Sequence, residues 1–326
     1  DPDELFHIDV YALADGKGIA RREMLEAFLQ GVNRGVFDLA WEFHCPHCGG
    51  VARESIRLQD TASVDHCTVC SVDFRNQLDE TIEVFFNSSD AVRPVPAEVK
   101  QSYLESMMHD ISTSHRHEWK KPTTIRGIDC INNPLFRSLF ESNTLPLDQS
   151  LEIKFATLLF TDIKGSTQLY ERLGDARAYL LVREHFNILF QAIEKNNGVP
   201  VKTIGDAVMG VFVSDSDALK AAIQAQRDLT AYYGRKEEEE RITVKIGLHA
   251  GPAVVVTLNG RLDYFGTTVN MAARIQGLAE PGKILFSEQI FNNKANHRIL
   301  KSYTDRVVRK KWQLKGLSGE FPLYSV

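Results

Sequence analysis

The sequence predicts an α+β chain in two parts, an amino-terminal zinc ribbon followed by a ferredoxin-like βαββαβ unit. Three observations carry that expectation. Four of the five cysteines form two identical pairs, Cys45-Pro46-His47-Cys48 and Cys67-Thr68-Val69-Cys70, with 18 residues between them. From Leu151 onward, apolar runs of strand length alternate with amphipathic stretches in the order βαββαβ. The net charge of -5 also divides unevenly, -10 over residues 1–150 and +5 over 151–326, as two modules with different partners would show.

At 326 residues the chain has room for two domains of ordinary size, read as an amino-terminal region 1–120 with the ribbon at 37–86, a connector 121–150, and a second domain 151–326. The 43% hydrophobic and 25% charged content is that of a globular protein, which excludes a disordered or collagen-like chain. No apolar run reaches the roughly 18 residues a membrane span needs. The first residue is Asp1, and DPDELFH lacks a basic-then-apolar signal, an opening expected of a fragment of something longer.

In the first half, Gly18 to Val32 has helical spacing through Ile19, Met24, Leu25, Phe28, Leu29 and Val32, and Phe37 to Phe43 leads into the first knuckle. The pairs Cys45/Cys48 and Cys67/Cys70 offer four thiolates to one ion, the pattern of a structural tetrahedral zinc with no open position. Gly49 and Gly50 permit the turn that aims sulfurs and amides at the metal. Disulfides or an Fe–S centre are the alternatives, and disulfides require an oxidising compartment. His44, His47 and His66 lie close by, but the four cysteines already complete the coordination. Residues 45–70 carry a net charge of -1, without the basic stripe that phosphate contacts demand, so the ribbon is expected to be a scaffold or regulatory contact and not a nucleic-acid reader.

Thr81 to Phe86 alternates like a strand, and Pro94 and Pro96 end it. Val99 to Trp119 has a helical pattern whose His109, His115 and His117 do not share a face, so no metal is expected there. Within the connector, Leu135 to Phe140 is an apolar helical turn and Cys130 is a buried thiol without a partner.

In the second half, Phe155 to Phe160 is a continuous apolar strand ending at Asp162. A long helix is expected from Ser166 to Asn196, with Leu169, Leu173, Leu180, Leu181, Phe186, Leu189, Phe190 and Ile193 as its buried stripe. Val199 to Ile204 and Ala207 to Phe212 form a hairpin through Gly205-Asp206. Ser214 to Tyr233 is helical, Arg235 to Glu240 a solvated loop, and Arg241 to Ala250 the fourth strand.

In a sheet of this order the first and third strands are central neighbours, so Asp162 and Asp206 meet at one end. Carboxylates so placed repel unless a divalent cation lies between them. Ile163-Lys164-Gly165-Ser166-Thr167 then opens the long helix with free N–H groups suited to phosphate oxygens.

Three separated motifs, Phe160 to Thr167, Lys202-Thr203-Ile204-Gly205-Asp206, and Asp263 to Arg274, agree in order and spacing with the class III adenylate and guanylate cyclases, which the chain resembles over residues 152–326. The amino-terminal part is less specifically similar to uncharacterised zinc-ribbon regions that precede some bacterial cyclase domains. The resemblance implies that Asp162, Ile163 and Asp206 hold two Mg2+ or Mn2+ ions per active site. It implies that Lys202 and Asp263 read adenine, Asn270 and Arg274 serve the transition state, and Gly165, Ser166, Thr167 and Lys315 meet the phosphates. Lys donates to the ring N1 and Asp accepts from the 6-amino group, whereas guanine presents the opposite polarity, so ATP is expected over GTP.

The resemblance further implies a homodimer in which the metal aspartates of one protomer face the base-reading and transition-state residues of the other. The expected activity is that of a cytoplasmic adenylate cyclase holding one structural zinc per chain. Guanylate cyclase, or a non-catalytic zinc-ribbon module that senses nucleotide, are the competing readings.

Overall fold

The computed structural model describes residues 2–113, 123–316 and 318–326. It contains two compact units, one made of residues 1–154 with 254–264 and the other of 155–253 with 265–326.

The first unit opens with helices α1 (Val10–Lys17) and α2 (Arg21–Asn33). Strands β1 (Phe37–His44) and β2 (Val51–Ser55) follow, then the short hairpin of β3 (Val64–Cys67) and β4 (Val72–Arg75). After β5 (Ile82–Ser88) come α3 (Ala97–Thr113), β6 (Ile125–Arg126), α4 (Gly127–Ile131) and α5 (Pro134–Leu139). The main sheet runs β2-β1-β5-β6 and is antiparallel throughout. Leu25 and Leu29 of α2 are buried, and Phe28 stacks on Phe37 at 4.5 Å. Trp41, fully buried on β1, meets Phe136 of α5 edge-on at 5.9 Å, so the sheet is covered and its core is aromatic. Asn133 caps α5 by accepting from Leu135 N and Phe136 N, and Pro134 occupies the first helical position, where its missing N–H is harmless. His115, His117 and Trp119 lie outside the described residues, so α3 accounts for the helical expectation only up to Thr113.

The second unit begins within β7 (Leu151–Ile163) and continues through α6 (Ser166–Leu173), α7 (Asp175–Lys195), β8 (Val199–Ile204), β9 (Ala207–Phe212), α8 (Asp215–Tyr233) and β10 (Val244–Leu258). Beyond them lie β11 (Arg261–Phe265), α9 (Thr267–Leu278), β12 (Ile284–Ser287), α10 (Glu288–Asn292), α11 (Lys294–Tyr303), β13 (Val308–Gln313) and β14 (Glu320–Ser325). The sheet order β13-β14-β12-β10-β7-β9-β8 contains the expected ferredoxin-like core as its last four strands, with β7 central between β10 and β9. Alternation along the strands then divides the burial. Leu159, Ile246 and Leu248 pack against α7 and α8, where Ala218, Ala221, Ala222 and Ala225 present a small-residue face that lets the helices close in.

Three details depart from the sequence pattern. The single long helix is two, because Gly174 (φ 72, ψ 159) ends α6 and starts α7 in a backbone state that breaks the helical ladder. Leu180 is 49% exposed, while His185 occupies the buried stripe one turn on from Leu181. The helices α7 and α8 share one face as expected, but α9 covers the opposite face, through Ile275 and Ala279 against Leu285 and Leu323.

Candidate active site

The knuckles converge. One ligand atom from each of Cys45, Cys48, Cys67 and Cys70 lies within 4.8 Å of every other. Cys48 Sγ and Cys67 Sγ are 3.7 Å apart, against about 3.8 Å for the edge of a tetrahedron with metal–sulfur bonds of about 2.3 Å. Backbone holds the turns: Gly49 N donates to Cys45 O at 2.8 Å, Cys45 N to Gly50 O at 2.9 Å, and Cys70 N to Cys67 Sγ at 3.4 Å. The thiol set fits a closed four-sulfur metal site.

Asp162 ends β7 and Asp206 sits in the β8–β9 turn. Antiparallel pairing of β7 with β9, Phe160 opposite Met209, brings them to the same end of the sheet. Gly205 at φ 62 makes the turn, and Gly165 at φ 68 lets the chain leave β7 and enter α6. Asp206 Oδ2 accepts from Ile163 N at 3.2 Å, and Thr161 Oγ1 accepts from Val208 N at 3.1 Å, so the turn is fixed from both sides. Burial, and then the Asp206 charge, push the Asp162 carboxyl above the usual range, while Lys245 and Gln276 oppose them. A carboxyl raised by burial and by a neighbouring carboxylate, with a second hard oxygen donor beside it, fits a divalent cation.

Of the phosphate-loop candidates, Ser166 is half-buried and Gly165 and Thr167 are exposed at the start of α6; Lys164 N is tied to Thr243 O at 2.9 Å. Asn270 is exposed and Arg274 half-buried on α9, in the i, i+4 relation expected. A Cβ placed on Gly316 would lie 3.5 Å from Arg274 Nη2, so the loop carrying exposed Lys315 runs beside that guanidinium. Lys202 is half-buried on β8 in the second unit. Asp263 is buried on β11 in the first, with its Oδ1 accepting from Tyr264 N at 2.8 Å.

Three neighbours were not singled out from the sequence. Lys245 and Gln276 face Asp162, and the buried His185 ring lies against the Asp206 backbone. Gly247 carried a usable signal, since glycine inside an apolar strand marks a close backbone approach. A Cβ there would lie 2.3 Å from Gln276 N.

The catalytic domain of adenylate and guanylate cyclases matches residues 149–325, more than half of the chain, and the chain belongs to that family. Residues 1–109 match a family of unknown function (DUF5939). An adenylate cyclase of Anabaena cylindrica is 30% identical over 184 residues, covering 52% of this chain and 36% of that protein. The receptor-type guanylate cyclase gcy-8 of Caenorhabditis elegans is 30% identical over 179 residues, covering 52% and 14%. An uncharacterized Mycobacterium tuberculosis protein is 37% identical over 131 residues, covering 40% and 32%. The chain thus spans little more than a third of these relatives at most. Among solved structures, the adenylyl cyclase CyaB from P. aeruginosa covers 54% of this chain and 95% of its own at 22% identity and TM-score 0.44. Among the described residues, no helix is long and apolar enough to cross a membrane.

Proposed function

We propose that the chain is an adenylate cyclase, converting ATP to 3′,5′-cyclic AMP and pyrophosphate at sites completed by a homodimer. The observation that carries this reading is the meeting of Asp162 and Asp206 at the end of the sheet, where burial and the Asp206 charge raise the Asp162 carboxyl. Asp162, Asp206 and the Ile163 carbonyl would hold two Mg2+ or Mn2+ ions. When bound, such ions supply the positive charge that acidifies the ribose 3′-hydroxyl and neutralises the triphosphate.

The chain's own residues do the rest. Lys202 donates to adenine N1 and Asp263 accepts from the 6-amino group. Asn270 orients the ribose, while Arg274 stabilises charge on the α-phosphoryl oxygens as the 3′-oxygen bonds to phosphorus and the bond to pyrophosphate breaks. Lys315 and the loop N–H groups of Gly165 to Thr167 receive phosphate oxygens. The four cysteines hold one structural zinc. Relatives of both base specificities exist, so the preference for ATP rests on the Lys202 and Asp263 residue types. A compartment that keeps thiols reduced and supplies ATP suits the reading, so the cytoplasm is the inferred setting.

Purified chain with ATP and Mn2+ is expected to yield cyclic AMP by mass spectrometry; none forming sinks the proposal. Exchanging Lys202→Glu with Asp263→Cys is expected to move the preference toward GTP, and an unmoved preference refutes the base pair.

A further inference from the structure

The region between the two family matches, residues 110–148, has no assigned role. Its α4–α5 segment nevertheless makes the polar contacts that fix the neighbours of Asp263. Arg137 Nη1 donates to Leu262 O at 2.8 Å, and the same guanidinium donates through Nε to Ile131 O at 2.7 Å. Tyr264 Oη donates to Asn132 Oδ1 at 2.5 Å, and the Arg137 cation lies 5.6 Å from the centre of the Tyr264 ring. The residues before and after Asp263 are therefore both tied to the same short segment. Thr257 Oγ1, on the other strand of the hairpin, donates to Leu145 O at 2.7 Å.

The alternation of a strand gives these contacts their meaning. Leu262 and Tyr264 direct their side chains to one face of β11, and Asp263 directs its own to the other. Anchoring the backbone of Leu262 and the side chain of Tyr264 fixes the strand on both sides of Asp263, and Tyr264 N, at 2.8 Å from Asp263 Oδ1, passes that position to the carboxylate. The anchors are dry: Asn132 is 5% exposed, Tyr264 1% and Leu262 7%. In such surroundings a hydrogen bond is stronger and its loss leaves a costly orphan. The segment is itself rigidly seated, since Asn133 and Pro134 start α5 and Phe136 is buried against Trp41.

We propose that Asn132 and Arg137 are positioning residues for the base-reading carboxylate, so that the region preceding the cyclase domain sets the affinity and base preference of the active site. The proposal deepens the adenylate cyclase reading and rests on Asp263 contacting the base. Neither residue touches substrate; each acts through the backbone or side chain beside Asp263.

The test compares Tyr264→Phe, which removes the hydroxyl that Asn132 and Arg137 meet, with Arg137→Met and with Asp263→Ala in the full chain. Hydrogen exchange at residues 261–265 is followed together with KM and kcat for ATP and GTP. Tyr264→Phe and Arg137→Met are expected to speed exchange in the hairpin, and to lower the ratio of kcat/KM for ATP to that for GTP about tenfold through KM, with kcat for ATP held within about twofold. The proposal is overturned if hairpin exchange stays at the parent rate, or if Asp263→Ala shifts the base preference while the two anchor variants do not. If Asp263→Ala itself leaves the preference unmoved, it is the assignment of Asp263 to the base that fails.

Discussion

The two units surround their buried titratable groups differently. In the first, Glu54, Glu42, Glu83 and Arg126 stand directly opposite one another across four strands. Like charges in that relation are destabilising, and partners answer them. His7 Nε2 meets Glu42 Oε1 at 3.0 Å, His44 Nε2 meets Glu42 Oε2 at 3.3 Å, and Arg126 Nη1 meets Glu83 Oε1 at 2.5 Å. Burial alone would raise Glu42, yet the bonds from His44 and His7 hold it down to about 2. In the second unit the imidazoles of His185 and His249 are buried as neutral rings, and burial takes both down to about 4. Asp162 and Asp206 face each other with a raised pKa at Asp162. In the first unit two histidines hold Glu42 ionised while burial still raises Glu83 and Asp129; in the second, burial and the Asp206 charge raise Asp162 against Lys245 and Gln276 at the open end of the sheet.

Four experiments break or sharpen that contrast. The largest effect is expected from Asp162→Ala or Asp206→Ala, each lowering cyclase turnover roughly a thousandfold while the circular dichroism of the metal-free chain is unchanged; retained turnover removes the metal role. Next is the thiol cluster. Because metal binding at such a site is also folding free energy, Cys45→Ser or a strong chelator is expected to destabilise the first unit by several kcal/mol, on the order of 5, seen as earlier thermal unfolding with cooperative melting of the second unit preserved. Equal loss in both units contradicts the separation.

Acid gives the third. The neutral histidines have folded pKa values below the unfolded value of 6.5, so the unfolded state binds more protons and the second unit loses stability as pH falls from 6.5 toward 4. Glu42 is depressed instead, so its contribution stands above 4.5 and is lost only as pH falls from there toward 2. His44 is raised by Glu42 and Glu83 against its burial, a contribution fully present below 6.5 that fades as pH rises through its folded pKa. Histidine ring NMR signals are expected to show the second unit unfolding at lower urea at about pH 5 than at about pH 7; an unchanged midpoint refutes the burial of His185 and His249 as neutral rings. The smallest effect is Asp162→Asn, which relieves burial and repulsion and is expected to raise the melting temperature of the metal-free chain by roughly 1–3 °C as activity is lost. A lowered melting temperature would show that Lys245 and Gln276 outweigh burial and the Asp206 charge.

The order of strands, the hairpin at Gly205-Asp206 and the position of Asp162 were legible because each is written in local patterning: an apolar run, a turn dipeptide, a carboxylate at a strand end. The cysteine cluster was legible for the same reason, since CxxC spacing and metal geometry are both short-range. Gly174 was misread because the amphipathic pattern continues across it, and only its backbone conformation reveals the break. His185 was missed because the stripe was read from apolar residues alone, while its place one turn from Leu181 put it inside.

By itself, then, the sequence determined what local chemistry can determine: the thiol pairs, the elements of the βαββαβ unit and the residue types that define the family. Only the tertiary structure decided that β10 and β11 carry residues 254–264 into the first unit. It alone set Arg137 beside Leu262, 125 residues on, and Asn132 at Tyr264, 132 residues on. Separations of that size leave no periodic trace, because the side chains are chosen by the packing that closes around them and not by their neighbours in the chain.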